Sequence, residues 1–374
     1  MSRECRIVIA GAGIAGLTVA TLLAQSKQAK HMRVTIVDAA ARPVFDAAAD
    51  VALRVSAVAN GSAELLARAG AWPLVEAARA CPYDHMRVWD EADPPDGPAT
   101  LRFDADEFAV RHLGYIVENH LLQHSLLTVL DAHDVSLRFE SPVEAIEPAA
   151  GAFRVNAGGE VLTADLVVAA DGAASPVREL FGISVTRMPY EQTAFVTHLS
   201  TSRPHRDTAW QRFLRSGPIG MLPLADGRVS VVWSTSPDEA EAALHMDDDA
   251  LGARLTEVSD GVLGELAVAG PRGRFVLAAQ HARDYVRRGV ALVGDAAHTI
   301  HPLAGQGANL GLQDAAEFAD VIVAALAAGE HPADRPVLRR YERARKGANT
   351  AMMHFMTGLN RLFASDSAIL GEVR

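Results

Sequence analysis

The segment "RIVIAGAGIAGLTVATLLAQS" constrains this chain more than any other. A short apolar strand, residues 6–10, runs into Gly11-x-Gly13-x-x-Gly16, and an amphipathic helix follows at once. Glycines at this spacing let main chain approach a pyrophosphate closely, and the helix N-terminus adds free N–H groups and a positive dipole end. "RVTIVD" is a second buried strand, and Asp38 closes it 22 positions after Gly16, where a carboxylate accepts from a ribose hydroxyl. An acid there favours a plain adenosine ribose over a 2′-phosphate, and it leaves FAD and NAD both open. The chain therefore begins with a β-α-β dinucleotide unit of about 30 residues.

Further elements extend this start. Strand-like "VSLRFE", "AFRVNA" and "EVLTADLVVAADG" return to the sheet, residues 54–72 read as a loop and helix, and "YIVENHLLQHSLLTVLDAH" reads as a helix. Between about 190 and 235 a period of two takes over, with "ADGR" (225–228) as a hairpin turn, so an antiparallel sheet is expected there. An acidic helical section follows, then strands, then helix from Gln306 onward. The order implies a Rossmann-like α/β domain with a parallel sheet, interrupted by a smaller α+β domain with an antiparallel sheet. Residues 1–80, 106–185 and 275–330 are assigned to the nucleotide domain, 81–105 and 186–274 to the substrate domain, and 331–374 to a helical C-terminal region.

Composition narrows the partners. With 35 basic against 46 acidic residues and a net charge of −11, the chain is unsuited to nucleic acid and has no polybasic membrane patch. Lys27, Lys30 and Lys346 are the only lysines, so a fixed cation at a site is expected to be Arg. Cys5 and Cys81 form neither a metal set nor a disulfide framework, so no metal is expected. There is no signal peptide and no apolar run of the roughly 18–20 residues needed to span a bilayer, which points to the cytoplasm.

Two more motifs carry chemistry. "LVVAADGAASPVRE" is a strand ending in Asp171-Gly172, followed by Arg178. "VALVGDAAHTIHPLAGQGANLGLQD" places Asp295 after a buried strand, at the carboxyl edge where open α/β sheets bind ligands, with a helix starting near Gly307. Such a helix mouth stabilises developing negative charge.

The order of the three motifs resembles the flavin-dependent aromatic hydroxylases of the para-hydroxybenzoate hydroxylase type. "LRVSAVANGSAELLARAGAW", "TAWQRFLRSGPIGMLPL" and above all "HPLAGQG" are similar to the subgroup that hydroxylates polyprenyl phenols in ubiquinone biosynthesis. The resemblance implies FAD as cofactor, held by Gly11, Gly13, Gly16, Asp38, Arg54, Gln123, Asp171, Gly172, Asp295, Gly307 and Asn309. It implies that NAD(P)H reduces the flavin, that O2 adds at C4a, and that this adduct hydroxylates a hydrophobic phenol. The absence of a second GxGxxG unit agrees with transient docking of the reductant. Pro302 marks the place where flavin and substrate meet, and His301 heads the candidate bases, with His298, His198 and Tyr190 behind it. Trp210, Phe213, Met221, Leu222 and Pro223 are assigned to the substrate pocket. Relatives continue after the region matching "LNRLF" with a basic, apolar helical segment, where this sequence reads "ASDSAILGEVR". A membrane-surface or complex contact through the C-terminal region is expected from that comparison. Amphipathic residues 349–363 fit either packing or interfacial binding. A hydroxylase of small soluble phenols, a flavin-dependent prenyl reductase and a non-catalytic FAD-binding subunit remain as alternatives.

Overall fold

The computed structural model describes residues 4–301 and 303–364; Pro302 and residues 365–374 lie outside the described residues. The β-α-β unit is formed by β1 (Cys5–Ala10), α1 (Ile14–Ala24) and β2 (Met32–Val37). β3 (Val55–Ala59) pairs antiparallel with β4 (Gly114–Glu118), which leads directly into α2 (Asn119–Leu130). β5 (Leu166–Ala169) then returns to lie parallel beside β1.

Next come the strands of a second sheet: β6 (Val185–Thr201), β7 (Thr208–Phe213), β8 (Ile219–Pro223) and β9 (Val229–Thr235). α3 (Pro237–His245) and α4 (Asp248–Val258) cover one face of it, and β10 (Gly273–Ala282) pairs along β6. β11 (Val290–Leu292) re-enters the first sheet, and α5 (Gln306–Ala327) and α6 (Arg335–Ala364) complete the chain's described part.

The first sheet runs β11-β5-β1-β2 through its centre, all parallel, flanked by residues 286–287 and 135–138. β5 and β11 are buried at every position, as expected of strands covered on both faces. Glycine permits the covering helices to pack tightly here. A Cβ on Gly294 would lie 3.2 Å from the Ala15 Cβ of α1 and 3.6 Å from Gly311 Cα of α5.

The second sheet is antiparallel along β10-β6-β9-β8-β7, then parallel from β7 to residues 85–90, with 101–104 at the edge. Its strands alternate between two environments. Ile219, Met221, Val231 and Trp233 face α3 and α4 in a closed core. Phe213 faces the other way, against Ile300, Leu303, Leu310 and α6, and Leu222 packs with Ala57, Ile116 and Leu224.

Three local readings are corrected. Residues 55–59 are a strand rather than a loop, and Gly114–Glu118 is a strand rather than the first turn of a helix. Short apolar runs fit either period, and β-branched Val and Ile settle in the extended form once a partner strand is present. "AFRVNA" and "EVLTA" leave the parallel sheet to pair with residues 143–149 in a separate antiparallel sheet.

The apolar face of residues 349–363 is largely used inside the molecule. Met353 and Met356 are buried, and Phe363 stacks on Phe213 with ring centroids 4.0 Å apart, while Phe355 remains exposed. No helix among the described residues is long and apolar enough to cross a membrane.

Candidate active site

The glycine turn is built for close approach from outside. Gly11 has φ +105°, and a Cβ there would strike Ala170 O at 2.2 Å; one on Gly16 would strike Gly11 O at 2.1 Å. Gly13 differs, because an added Cβ would meet nothing within 4 Å. An added Cβ on Gly172 or on Gly307 would likewise meet nothing within 4 Å. One glycine from each motif thus presents bare main chain to an open crevice, while Gly11, Gly16, Gly294 and Gly305 hold the walls together.

The acids define that crevice further. Asp38 accepts from Ala12 N at 2.5 Å and from Ala40 N at 2.7 Å, which fixes its carboxylate at the rim of the glycine turn. Gln123, on α2, donates to Ala12 O at 3.0 Å, so it braces the turn from behind. Asp171 accepts from Val177 N at 3.0 Å, and its other oxygen is buried without a partner; burial raises its carboxyl despite help from Ser175 and Val177.

Asp295 is reached by solvent, yet the surrounding protein pushes its carboxyl up, and His298 and Arg54 oppose that push. An acid that is both exposed and enclosed lies at the floor of a cleft. Arg54 is also exposed and stands over the Phe275 ring at 5.6 Å.

Arg178 and Asn309 act on the main chain. The Arg178 guanidinium is 1 % exposed and donates to Ala296 O at 3.0 Å and Ala173 O at 2.9 Å, tying the second motif to the third. Gln280 reinforces this tie by donating to Ala173 O at 2.6 Å. Asn309 donates to Ala57 O at 2.8 Å and accepts from Ala59 N at 3.0 Å, so its amide secures β3 beside the α5 N-terminus.

Sequence reasoning missed Asp314, although it lies inside the quoted third motif. It is fully buried on α5, with His298 Nε2 at 2.5 Å, Arg345 Nε at 2.8 Å and Asn349 Nδ2 at 3.0 Å. Gly294 N donates to it at 3.3 Å, so the acid supports the turn that carries Asp295. Burial works against its charge, but these donors hold its carboxyl below the usual range. His298 is therefore a structural partner of Asp314 rather than a base at the crevice. A buried acid whose partners lie up to 35 positions away leaves no local sequence signal.

His301 is corrected as a candidate base. It is 1 % exposed, hydrogen-bonded through Nε2 to Gln192 Oε1 at 3.2 Å, and edge-on to Tyr190 at 4.8 Å. Burial pushes its pKa down to about 4, too weak a base for work near neutrality. Tyr190 is hydrogen-bonded to Thr357 of α6 at 2.8 Å, with burial raising its pKa, and His198 is buried beneath Gly270.

The histidine has a consequence for stability. Its folded pKa of about 4 lies below the ordinary 6.5, so the unfolded chain binds more protons between those values. Stability is then full above pH 6.5 and falls as the pH drops toward 4, by roughly 3 kcal/mol for this group. Urea unfolding at pH 7.5 and pH 5 should show His301→Gln losing less stability on acidification than the parent. An unchanged pH dependence would contradict the burial argument.

The proposed pocket residues divide by strand parity. Phe213 and Leu222 lie on the face turned toward β3 and α5. Trp210 and Met221 do not: they pack in the closed core against α3 and α4, with Trp210 edge-on to Trp89 at 6.1 Å. Pro223 shares their parity, two residues from Met221. Alternation places neighbours such as Met221 and Leu222 on opposite faces, and the sequence alone did not say which face was sealed.

Comparison with known proteins accounts for this arrangement. The FAD binding domain family matches residues 4–356. The chain is 37% identical over 375 residues to the 3-demethoxyubiquinol 3-hydroxylase of Escherichia coli strain K12, covering 100% of this chain and 93% of that protein. It is 35% identical to the ubiquinone hydroxylase UbiL of Rhodospirillum rubrum, covering 98% and 84%. In fold it is similar to the crystal structure of Pseudomonas aeruginosa PqsL in complex with 2-aminobenzoylacetate, with a TM-score of 0.79, 24% identity and 99% of both chains covered. The open glycines, the helix N-termini and the acids at the rim and floor fit FAD, and the chain belongs to the FAD-binding flavin-dependent monooxygenases, in the class A hydroxylase group that includes the ubiquinone-biosynthesis enzymes.

Proposed function

We propose that this protein hydroxylates the aromatic ring of a polyprenylated phenol on the route to ubiquinone, using NAD(P)H and O2. The observation that carries this reading is the apolar, partly open sheet face opposite the FAD crevice, flanked by the Phe213 cluster on one side and the Leu222 cluster on the other. The names of the full-length relatives supply the substrate class.

Bound FAD supplies the redox chemistry, taking electrons from the nicotinamide and activating O2 for transfer to an electron-rich ring. The protein's residues bind, orient and shield. Gly13 and the α1 N-terminus would receive the pyrophosphate, Asp38 the adenosine ribose, and Asp295 with Arg54 the ribityl side. Gly307 and the α5 N-terminus would face the ring system and favour negative charge on it. Arg178, Gln280 and Asn309 keep these segments in register through main-chain hydrogen bonds. Apolar walls from Phe213, Ile300 and Leu303 exclude water from the reacting centre.

The decisive assay supplies the FAD-loaded protein with NAD(P)H, oxygen-18 gas and a prenylated phenol. One oxygen-18 atom should enter the ring. Consumption of NAD(P)H with no labelled product from any such phenol would sink the reading.

There is also room for a tail. A cavity of about 360 Å³ beside β3 is lined by Val51, Val55, Ile116 and Leu224, with Asp50, Arg79, Glu118 and Asp226 in its wall. Ala225 is exposed at its edge, so Ala225→Trp should obstruct it without disturbing the core. We expect kcat/KM to fall about 10-fold for a long-tailed substrate and less than about 2-fold for one with a single isoprene unit. Equal losses for both would show that the cavity takes no tail.

A further inference from the structure

The face of the second sheet that looks toward β3 and α5 carries a polar side chain in the middle of β7. This residue, Gln211, is 8 % exposed, and its amide atoms are not among the sealed, unpaired polar atoms of the described residues. Its neighbours on the same face are apolar: Ala209 and Phe213 along β7, and Val88 on the adjoining strand. An amide placed among apolar neighbours yet not sealed is one that water or a ligand can bond.

The space in front of this amide is open. Directly across the ladder from Gln211 lies Gly220, and a Cβ added there would meet nothing closer than Val232 O at 3.9 Å. Strand interiors in the centre of a sheet are normally sealed. On the α3–α4 face they are, with Ile219, Met221 and Val231 at 0 % exposure. On the opposite face Gly220, Leu222, Val232 and Val88 are all only half-buried. That face packs toward Leu303, Leu310 and Ala57, the residues flanking the α5 N-terminus, so it lies on the side of the crevice assigned to the flavin ring.

We infer that Gln211 is the polar anchor of the substrate pocket, hydrogen-bonding an oxygen carried on the aromatic ring. This assignment rests on the phenol-hydroxylase reading and specifies how that site recognises its substrate. A primary amide offers two donors and a carbonyl acceptor, so it pairs with a neutral phenol O–H or with an ether or quinol oxygen next to it. Set among Phe213, Val88 and Ala209, it suits an uncharged ring with oxygen substituents better than a carboxylate, which would need a cation there. The amide selects the ring's oxygen pattern, and the apolar walls take the rest of the molecule.

The test compares two ligands that differ only in the hydroxyl, 2-geranylphenol and geranylbenzene. Their affinities for the FAD-loaded protein are read from perturbation of the flavin absorbance, which does not require turnover. The parent should prefer the phenol by about 5- to 30-fold, and Gln211→Met should lose most of that preference while binding geranylbenzene as before. Gln211→Asn, with a shorter amide, should retain part of it. FAD content and the unperturbed visible spectrum of both variants should match the parent, which separates this role from a folding defect.

If Gln211→Met keeps the full preference, or weakens both ligands alike, the assignment is overturned. If the parent binds neither tailed ligand, the prenylated-phenol reading fails on its own. The assignment is then decided by 4-methylphenol against toluene, where the same loss of preference in Gln211→Met upholds it and its absence refutes it.

Discussion

Gly13→Val should yield a folded protein that purifies without flavin. The position is open on its outer side, so the valine Cβ meets no atom within 4 Å, and the backbone there has an ordinary φ of −71°. The methyl groups would instead occupy the space in which a pyrophosphate meets the N–H groups of the turn. Losing two hydrogen bonds to a charged group at about 1.5–3 kcal/mol each lowers FAD affinity by a factor of roughly 100 or more. Thermal melting of the apo forms should be close to identical, and flavin fluorescence titration should show the loss. Gly11→Val and Gly16→Val provide the contrast. Both collide with main-chain oxygen inside the fold and should fail to accumulate as soluble protein. A Gly13→Val protein that binds FAD as tightly as the parent would remove the glycine turn from the cofactor site.

Asp314→Ala should be the most destabilising single change in the third motif. The substitution leaves His298, Arg345 and Asn349 facing an empty position, and it frees the Gly294 N–H. Removing one partner from a buried charged group typically costs about 3–5 kcal/mol. Chemical denaturation should register that loss, and FAD should bind more weakly because the Asp295 turn is no longer supported. Asp314→Asn keeps the shape and part of the bonding, so it should cost less. The acid also contributes to the pH response: its folded pKa lies below the ordinary 3.8, so its stabilisation is present above that value and is lost as the pH falls through the folded one. A loss under about 1 kcal/mol in Asp314→Ala would mean that the cluster carries little of the stability.

The parts of the fold legible from sequence were those whose signals are local. A glycine turn between a strand and a helix, with an acid closing the next strand, is a short-range pattern, and Asp38 directly follows β2 with its carboxylate accepting from Ala12 N. The hairpin at residues 225–228 was legible for the same reason: Gly227 has φ +88°, and Leu224 N bonds Arg228 O at 2.9 Å. What escaped depends on contacts between distant segments. β3 and β4 are strands because they pair with each other across some 60 residues, while their periodicity fits helix as well. Trp210 and Met221 looked as apolar and as well placed as Phe213 and Leu222, and only the docking of α3 and α4 decides which face is closed. His301 stood out in the sequence as chemistry, yet its burial makes it a hydrogen-bonding part of the interior.

α6 touches both halves of the site. Near its start Tyr341 donates to Leu292 O at the end of β11; in the middle Arg345 and Asn349 hold Asp314; toward its end Thr357 and Asn360 bond Tyr190 and Gln192. The glycine turn leaves the ribosome more than 300 residues ahead of the helix that steadies the other side of the crevice. During synthesis at about 5–20 residues per second, the nascent chain spends many seconds with a dinucleotide fold begun and its far wall absent. Cofactor capture therefore belongs to a chain in which α6 has been made, and cells starved of riboflavin should accumulate apoprotein with α6 in place rather than stalled or half-folded intermediates.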